Sequence, residues 1–263
     1  MELENHKGRY TNQSLVRGLM ILEQFYLAPG ALGVSDLSRL TGLHKSTVHR
    51  LVTTLEEIQW LQRTDSDKFQ IAIKPIVLGR KAAQQVASLT ATHSFIRELR
   101  DRLQETVVMT MLIEGDIVCV DKASSYQSLN CSSEIGKVYP PHAGATGFGV
   151  LLGMDELEAR AFLERQPLER FTDRTITDVD ELMRRYRADR QNGYTMASGH
   201  RDTGITGIAV PLWFPAEQTY GCIGVLTPDY RFSDEAKNTI ISELKKTAEK
   251  IRIYLTPSGM ISA

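Results

Sequence analysis

The stretch SDLSRLTGLHKSTVHRLVTTLEEI, Ser35 to Ile58, carries side chains suited to gripping a polyanion. From about His44 the apolar residues Val48, Leu51, Val52, Leu55 and Ile58 recur with helical period and form one stripe. The opposite face holds Ser46, His49, Arg50, Thr53 and Glu57, with Lys45 and Thr47 at its N-terminal edge. Hydrogen-bonding and cationic side chains of this kind reach base edges and phosphates from a helix seated in a major groove. Upstream, Ser35 is placed as an N-cap, Leu37 and Leu40 as an inward pair, and Gly42 as the left-handed end of a first helix. Helix, glycine turn and basic helix together predict a helix-turn-helix that reads double-stranded DNA.

A second group of reactive types lies far downstream. Gly136 to Gly153, GKVYPPHAGATGFGVLLG, places small residues Ala143 to Thr146 at the start of an apolar helix. Free N–H groups there, the Thr146 hydroxyl and His142 would suit a carboxylate in a mostly apolar pocket. His200 and Asp202 stand beside a predicted strand as a pocket lip or an ordinary loop. Two other chemistries compete. Cys131, Cys222, His142 and His200 would serve an enzyme only if folding set a thiolate beside a base. His142, His200, Cys222 and Asp202 would serve a metal- or redox-responsive regulator. The three cysteines, Cys119, Cys131 and Cys222, are odd in number and lack metal-type spacing, which fits a reducing cytoplasm. GATGFG from Gly144 lacks the Lys-Ser/Thr of a phosphate-binding loop. No cofactor is implied and an enzyme is not the expectation.

The elements that hold these groups follow from pattern. At 263 residues, the chain is long enough for two domains. Its net charge of −1 excludes a general polyanion binder, so DNA affinity must come from local placement of charge. The opening MELENHKGRY has no apolar core of the kind a signal peptide needs, and no apolar run reaches membrane-spanning length. Residues 1–13 read as a loose arm. Ser14 is placed as the cap of a helix with Leu15, Leu19, Leu22 and Tyr26 on one face and Arg17 near its start as a phosphate contact. After Ile58 a short hairpin is predicted, with a polar tip and with Arg63 and Lys68 beside the groove. This gives a winged helix-turn-helix over 14–74. Residues 75–90 read as a linker helix, 91–255 as an α+β domain with an antiparallel sheet, and 256–263 as a tail.

The order and spacing of several segments resemble the isocitrate-lyase-regulator (IclR) family of bacterial transcription factors. They are LVRGLMILEQF from Leu15, TGLHKSTVHRLVTTLEE from Thr41, GKVYPPHAGATG from Gly136, TITDVDEL from Thr175, NGYT from Asn192, GITGIAVPL from Gly204 and CIGVLTPDYRF from Cys222. The resemblance spans Ser14 to about Leu255. It implies a winged helix-turn-helix, a linker helix and a GAF-like effector domain. It also implies homodimers, often paired as tetramers, that repress or activate operons in response to a small organic acid or aromatic metabolite. The implied pocket takes walls from Ser128, Leu129, Cys131, Gly136 and Cys222. The chain departs from the family pattern at five positions. His44 stands for a usual proline, Gln59 for glycine, Pro141 for leucine, Phe148 for lysine, and His200 for a common glutamate.

Overall fold

The computed structural model describes residues 12–28, 30–85, 87–127, 131 and 133–256. The chain divides into two compact units, Met1–Gln85 and Val86–Ala263. The arm before Asn12 and the tail after Thr256 lie outside the described residues, as do Ser128 and Leu129.

The first unit is built from α1 (Gln13–Leu27), α2 (Val34–Thr41), α3 (Lys45–Glu57), β1 (Leu61–Arg63), β2 (Phe69–Ile71) and α4 (Ile73–Gln85). Its core is Ile21, Leu37, Val48, Val52, Leu55, Leu61 and Phe69. Gly42 lies at φ 70°, so the chain turns from α2 into α3 without cost to a side chain. The hairpin of β1 and β2 is antiparallel. Phe69 also exchanges two 2.9 Å backbone bonds with Leu32, which ties the hairpin to the segment before α2.

Several sequence expectations for this unit are corrected. The first helix is capped by Asn12, whose Oδ1 accepts from Ser14 N at 3.0 Å and Leu15 N at 3.2 Å, so Ser14 is inside the helix. Gly33, and not Ser35, caps α2; its N–H donates to Asp36 Oδ2 at 3.0 Å. The apolar face of α1 is also rotated. Ile21 is buried, whereas Leu15, Leu19 and Tyr26 are exposed, as are Leu40 and Ile58. Gln59 sits at φ 63°, a conformation that glycine takes freely and a side chain resists. The stretch 75–90 expected as a linker helix is helical where it is described, as α4 to Gln85 and as the start of α5 (Ala87–Leu103), with Val86 outside the described residues.

In the second unit, α5 is followed by the hairpin of β3 (Thr106–Ile113) and β4 (Asp116–Ala123). Glu114 and Gly115 both take positive φ at its turn, the geometry a two-residue hairpin needs. Next come β5 (Val138–Tyr139), α6 (Ala145–Leu151), α7 (Glu156–Glu164), α8 (Val179–Asn192), β6 (Thr195–Ser198), β7 (Ile205–Phe214), β8 (Thr219–Pro228) and α9 (Asp234–Leu255). The sheet runs β5-β4-β3-β8-β7-β6 and every pairing is antiparallel. Helix α8 starts after the Asp178 cap, whose side chain accepts from Glu181 N, while the preceding Thr175 hydroxyl donates to His200 O at 2.6 Å.

The sheet is covered on both faces. One side buries Met109, Ile208, Val210 and Ile223 against Ile96 and Leu99 of α5 and Ile240, Leu244 and Ile251 of α9. The other buries Val108, Ala209 and Cys222 against Phe148, Val150 and Leu151 of α6, with α7 and α8 outside it. Every residue of α6 is buried. A Cβ on Gly149 would lie 2.8 Å from Ala209 Cβ and 3.1 Å from Cys222 Sγ, and one on Gly147 would lie 2.1 Å from Pro140 O. Gly149→Ala is therefore expected to destabilise the chain by about 1–3 kcal/mol through overpacking. That loss exceeds the gain of about 1 kcal/mol from better helix propensity. Urea denaturation monitored on the second unit checks it; unchanged or raised stability would contradict the close approach.

Candidate functional sites

The polar face of α3 is presented to solvent. Lys45, Ser46, His49 and Arg50 are exposed, and Arg17 is exposed on α1. His44 caps α3 through its imidazole, with Nδ1 accepting from Ser46 N at 3.3 Å and lying 2.8 Å from Ser46 Oγ. Arg17, Thr47 and Arg50 share a cleft of about 660 Å³ with Leu15, Leu19, Leu51, Ile58 and Trp60. Thr53 departs from expectation: the residue is half-buried, and its hydroxyl is shielded from solvent without a hydrogen-bond partner among the described residues. Ser35 is exposed in the first turn of α2.

In the hairpin the acidic tip, which by sequence opposes a phosphate contact through Asp65 and Asp67, engages Arg63 through Asp67. Arg63 lies 3.3 Å from Glu56 of α3 and 2.5 Å from Asp67 of the hairpin tip, and its guanidinium stacks 4.8 Å from the Phe69 ring. Its expected role as a phosphate contact is thus met by two competing carboxylates. Lys68 is exposed beside it.

The second site is a cavity of about 290 Å³ inside the second unit. Ala143, Gly144, Ala145 and Thr146 form one wall; Cys131, Lys137 and Tyr139 form another. Ala197, His200, Arg201, Asp202, Ile205, Gly207 and Leu226 close it from β6, β7, β8 and the β6–β7 turn. Glycine is favoured by backbone conformation at one of these places and closely packed at another. Gly144 sits at φ 96°, and a Cβ on Gly207 would press at 3.2 Å on Ala145 and Leu226.

Six predicted members, Cys131, Ala143, Gly144, Thr146, His200 and Asp202, line the cavity. His142 does not. It is fully buried, its Nε2 lies 2.8 Å from Glu169 O, and its ring packs 5.9 Å from that of Phe171. The turn that seats Ala143 in the wall points the preceding side chain the other way. Cys222 is also absent from the lining; its thiol supports the wall from behind, donating to Thr146 O at 3.1 Å. Gly136 forms a tight turn at φ 88° outside the lining. Pro141 and Phe148 are buried away from it as well.

Sequence reasoning missed Lys137, Tyr139 and Arg201. They are brought together only by the sheet, and nothing in their local pattern announces it. Arg201 stacks over the Tyr139 ring at 4.7 Å and lies 3.6 Å from Asp202, whose side chain is 58% exposed. Burial, with Arg201 nearby, pushes the Lys137 ammonium below its ordinary range. Burial pushes the Cys131 thiol up to about 12. Burial, with Arg185 and Arg174 nearby, pushes His200 down to about 4. The metal set His142, His200, Cys222 and Asp202 is not assembled, and among the described residues no group of three or more His, Cys, Asp or Glu could hold a metal ion. No described helix is long and apolar enough to cross a membrane.

A helix-turn-helix with a hairpin wing, joined to a separate antiparallel-sheet domain that encloses a cation-bearing cavity, defines a one-chain transcription regulator. Comparison with known proteins gives the family. The bacterial transcriptional regulator IclR C-terminal model matches residues 81–253, and the IclR helix-turn-helix domain model matches residues 14–65. The chain belongs to the IclR family of bacterial transcriptional regulators. It is 29% identical over 221 residues to the HTH-type transcriptional regulator KdgR of Dickeya chrysanthemi, covering 84% of this chain and 72% of that one. The IclR transcriptional regulator from Alicyclobacillus acidocaldarius superposes with a TM-score of 0.84 at 20% identity, covering 94% of this chain and all (100%) of that one. An IclR homologue from Microbacterium hydrocarbonoxydans, solved in complex with 4-hydroxybenzoate, superposes with a TM-score of 0.76 at 22% identity, covering 92% and 99%.

The ion pairs around Arg63 generate a prediction. Asp67→Asn frees Arg63 and removes a negative charge, and is expected to tighten duplex binding and steepen its salt dependence by about one phosphate contact. Arg63→Ala is expected to leave affinity within about twofold, since exposed pairs contribute only about 0–1 kcal/mol. Salt titrations of both variants by fluorescence anisotropy check this; a large loss in Arg63→Ala would show Arg63 already on the phosphate.

Proposed function

We propose that this chain binds a specific operator through α3 and that a small organic carboxylate in the cavity of the second unit modulates that binding. The carrying observation is the cavity wall. It combines two cations, Lys137 and Arg201, with the apolar surface of Tyr139, Ala143, Ala145, Ala197, Ile205 and Leu226. His200 is uncharged and Asp202 is largely in water, so an anion is the ligand that balances the wall. The wall's aromatic and apolar share suits an aromatic acid as well as an aliphatic one, and the Microbacterium relative's 4-hydroxybenzoate is of that chemistry. Helix α6 has only seven residues, so the charge comes from these side chains and little from the helix dipole.

For the operator, the support is the exposed Lys45, Ser46, His49 and Arg50 on one face of α3, with Arg17 on α1. The apolar side chains Ile73, Ile76, Val77 and Leu78 exposed on α4 support assembly as a homodimer, with dimers pairing into tetramers. The ligand would act by favouring one spacing of the two recognition helices.

Arg50→Ala is expected to lower affinity for a duplex selected by the wild-type chain from a random pool, by about tenfold or 1–3 kcal/mol. Its circular dichroism should be unchanged. A gel shift with unchanged affinity would remove α3 from the interface. Separately, a saturating carboxylate such as 4-hydroxybenzoate or a member of an aliphatic series is expected to raise the melting temperature by a few degrees, since occupancy at about 100 times Kd adds about 2.7 kcal/mol. Lys137→Met and Arg201→Met should abolish the shift. A broad carboxylate panel with no effect on the wild type would overturn the sensor reading.

A further inference from the structure

Which side chain chooses the ligand follows from the reading of the cavity as a carboxylate site, on which this inference rests. His200 is the wall residue held most completely. Its carbonyl accepts from Thr175 Oγ1 at 2.6 Å and Thr172 Oγ1 at 3.4 Å. The preceding Gly199, at φ 69°, accepts from Thr172 Oγ1 at 2.6 Å and donates to Ile205 O at 2.9 Å. The backbone is pinned on both sides of the ring.

The ring is fixed as well. Arg185 Nη1 lies 3.4 Å from His200 Nδ1. Arg185 is itself anchored: Nε donates to Asp189 Oδ2 at 3.2 Å, and Nη2 donates to Thr195 Oγ1 at 2.7 Å and Met196 O at 3.1 Å. Its guanidinium lies 4.2 Å over the Phe148 ring. A guanidinium donates and never accepts, so Nδ1 must be the acceptor and the ring proton must sit on Nε2. Arg185, on the Nδ1 side of the ring, is absent from the cavity lining, while His200 belongs to it. The surrounding charges agree with an uncharged ring. Arg185 and Arg174 act on it, Lys137 and Arg201 share its cavity, and the carboxylates of Asp189 and Asp202 are engaged by Arg185 and Arg201.

We propose that His200, locked by Arg185 as the uncharged Nε2–H tautomer, is the specificity-determining donor of the cavity. It selects a ligand that presents an acceptor oxygen of an ionised carboxylate; the primary amide of the same acid can satisfy it only through one carbonyl oxygen, which turns its N–H donors and no charge toward Lys137 and Arg201. Arg185 is a positioning residue that acts through the imidazole. Phe148 is the platform that keeps Arg185 in place.

The test uses the ¹⁵N-labelled full chain at pH 7 and long-range ¹H–¹⁵N correlation spectra, with His200 assigned by the signals lost in His200→Gln. The expected pattern is a protonated Nε2 and an unprotonated Nδ1. Formate, added as the probe, is expected to move the Nε2 proton of His200 and the amides of 143–146, and formamide is not. His200→Leu should weaken formate binding about tenfold, whereas His200→Gln, which keeps an N–H, should stay within a few-fold. Arg185→Met should yield mixed tautomers and Arg185→Lys should restore the single one. Should Arg185→Met fail to fold, the wild-type tautomer decides alone. A protonated Nδ1 or a charged ring at pH 7 overturns the proposal. So does formate that moves the amides of 143–146 but leaves His200 unmoved, with the carboxylate reading intact. Formate that moves neither group removes both the proposal and the carboxylate reading.

Discussion

The second unit depends on how closely α6 lies on the sheet. The helix is short and wholly buried, and it reaches that depth because Gly147 and Gly149 leave no atoms between it and Pro140, Ala209 and Cys222. The sheet answers in kind, since a Cβ on Gly224 would lie 2.7 Å from Thr146 Cγ2. Hydrogen bonds fix the contact: Thr110 Oγ1 donates to Thr146 O at 3.0 Å and the Cys222 thiol reaches the same carbonyl. A close-packed interior transmits small volume changes, so the wall formed by Ala143 to Thr146 inherits its position from this contact.

The two sites use cations in opposite ways. On α3 they are exposed, where each is screened and modest, and where a polyanion supplies many contacts at once. In the cavity there are two, partly desolvated and close to one another, and a single small anion is enough to satisfy them. The hairpin shows a third arrangement. Arg63 is satisfied within the protein by Glu56, Asp67 and the face of Phe69, so the element that topology places beside DNA is nearly neutral at its base. Topology alone does not assign a phosphate contact; the neighbouring carboxylates decide.

Local signals were read well from the sequence and long-range ones poorly. Gly42 acts within a few residues, and it takes the left-handed conformation at the end of α2 where pattern placed it. Caps were mistaken where a second candidate stood nearby: Asn12 outcompetes Ser14, and Gly33 with Asp36 outcompetes Ser35. The stripe on α1 misled because Leu15, Leu19 and Tyr26 are apolar yet exposed, a feature periodicity cannot separate from burial. In the cavity, Ala143 to Thr146 were legible as small residues opening a helix. Lys137, Tyr139 and Arg201 were not, because the β5 segment and the β6–β7 turn are far apart in the chain and stand at opposite edges of the sheet order, and share a cavity only in the folded unit. His142 looked like a ligand and is a core histidine, since adjacent residues of a tight segment face opposite ways.

The thiols carry one more consequence. Cys119, Cys131 and Cys222 are all buried, and burial holds each of them above the ordinary thiol range, Cys131 and Cys222 at about 12. Peroxide attacks thiolates that solvent can reach, and this chain offers it almost none. An oxidative burst that consumes accessible, ionised thiols elsewhere in a cell would leave these three side chains as they are.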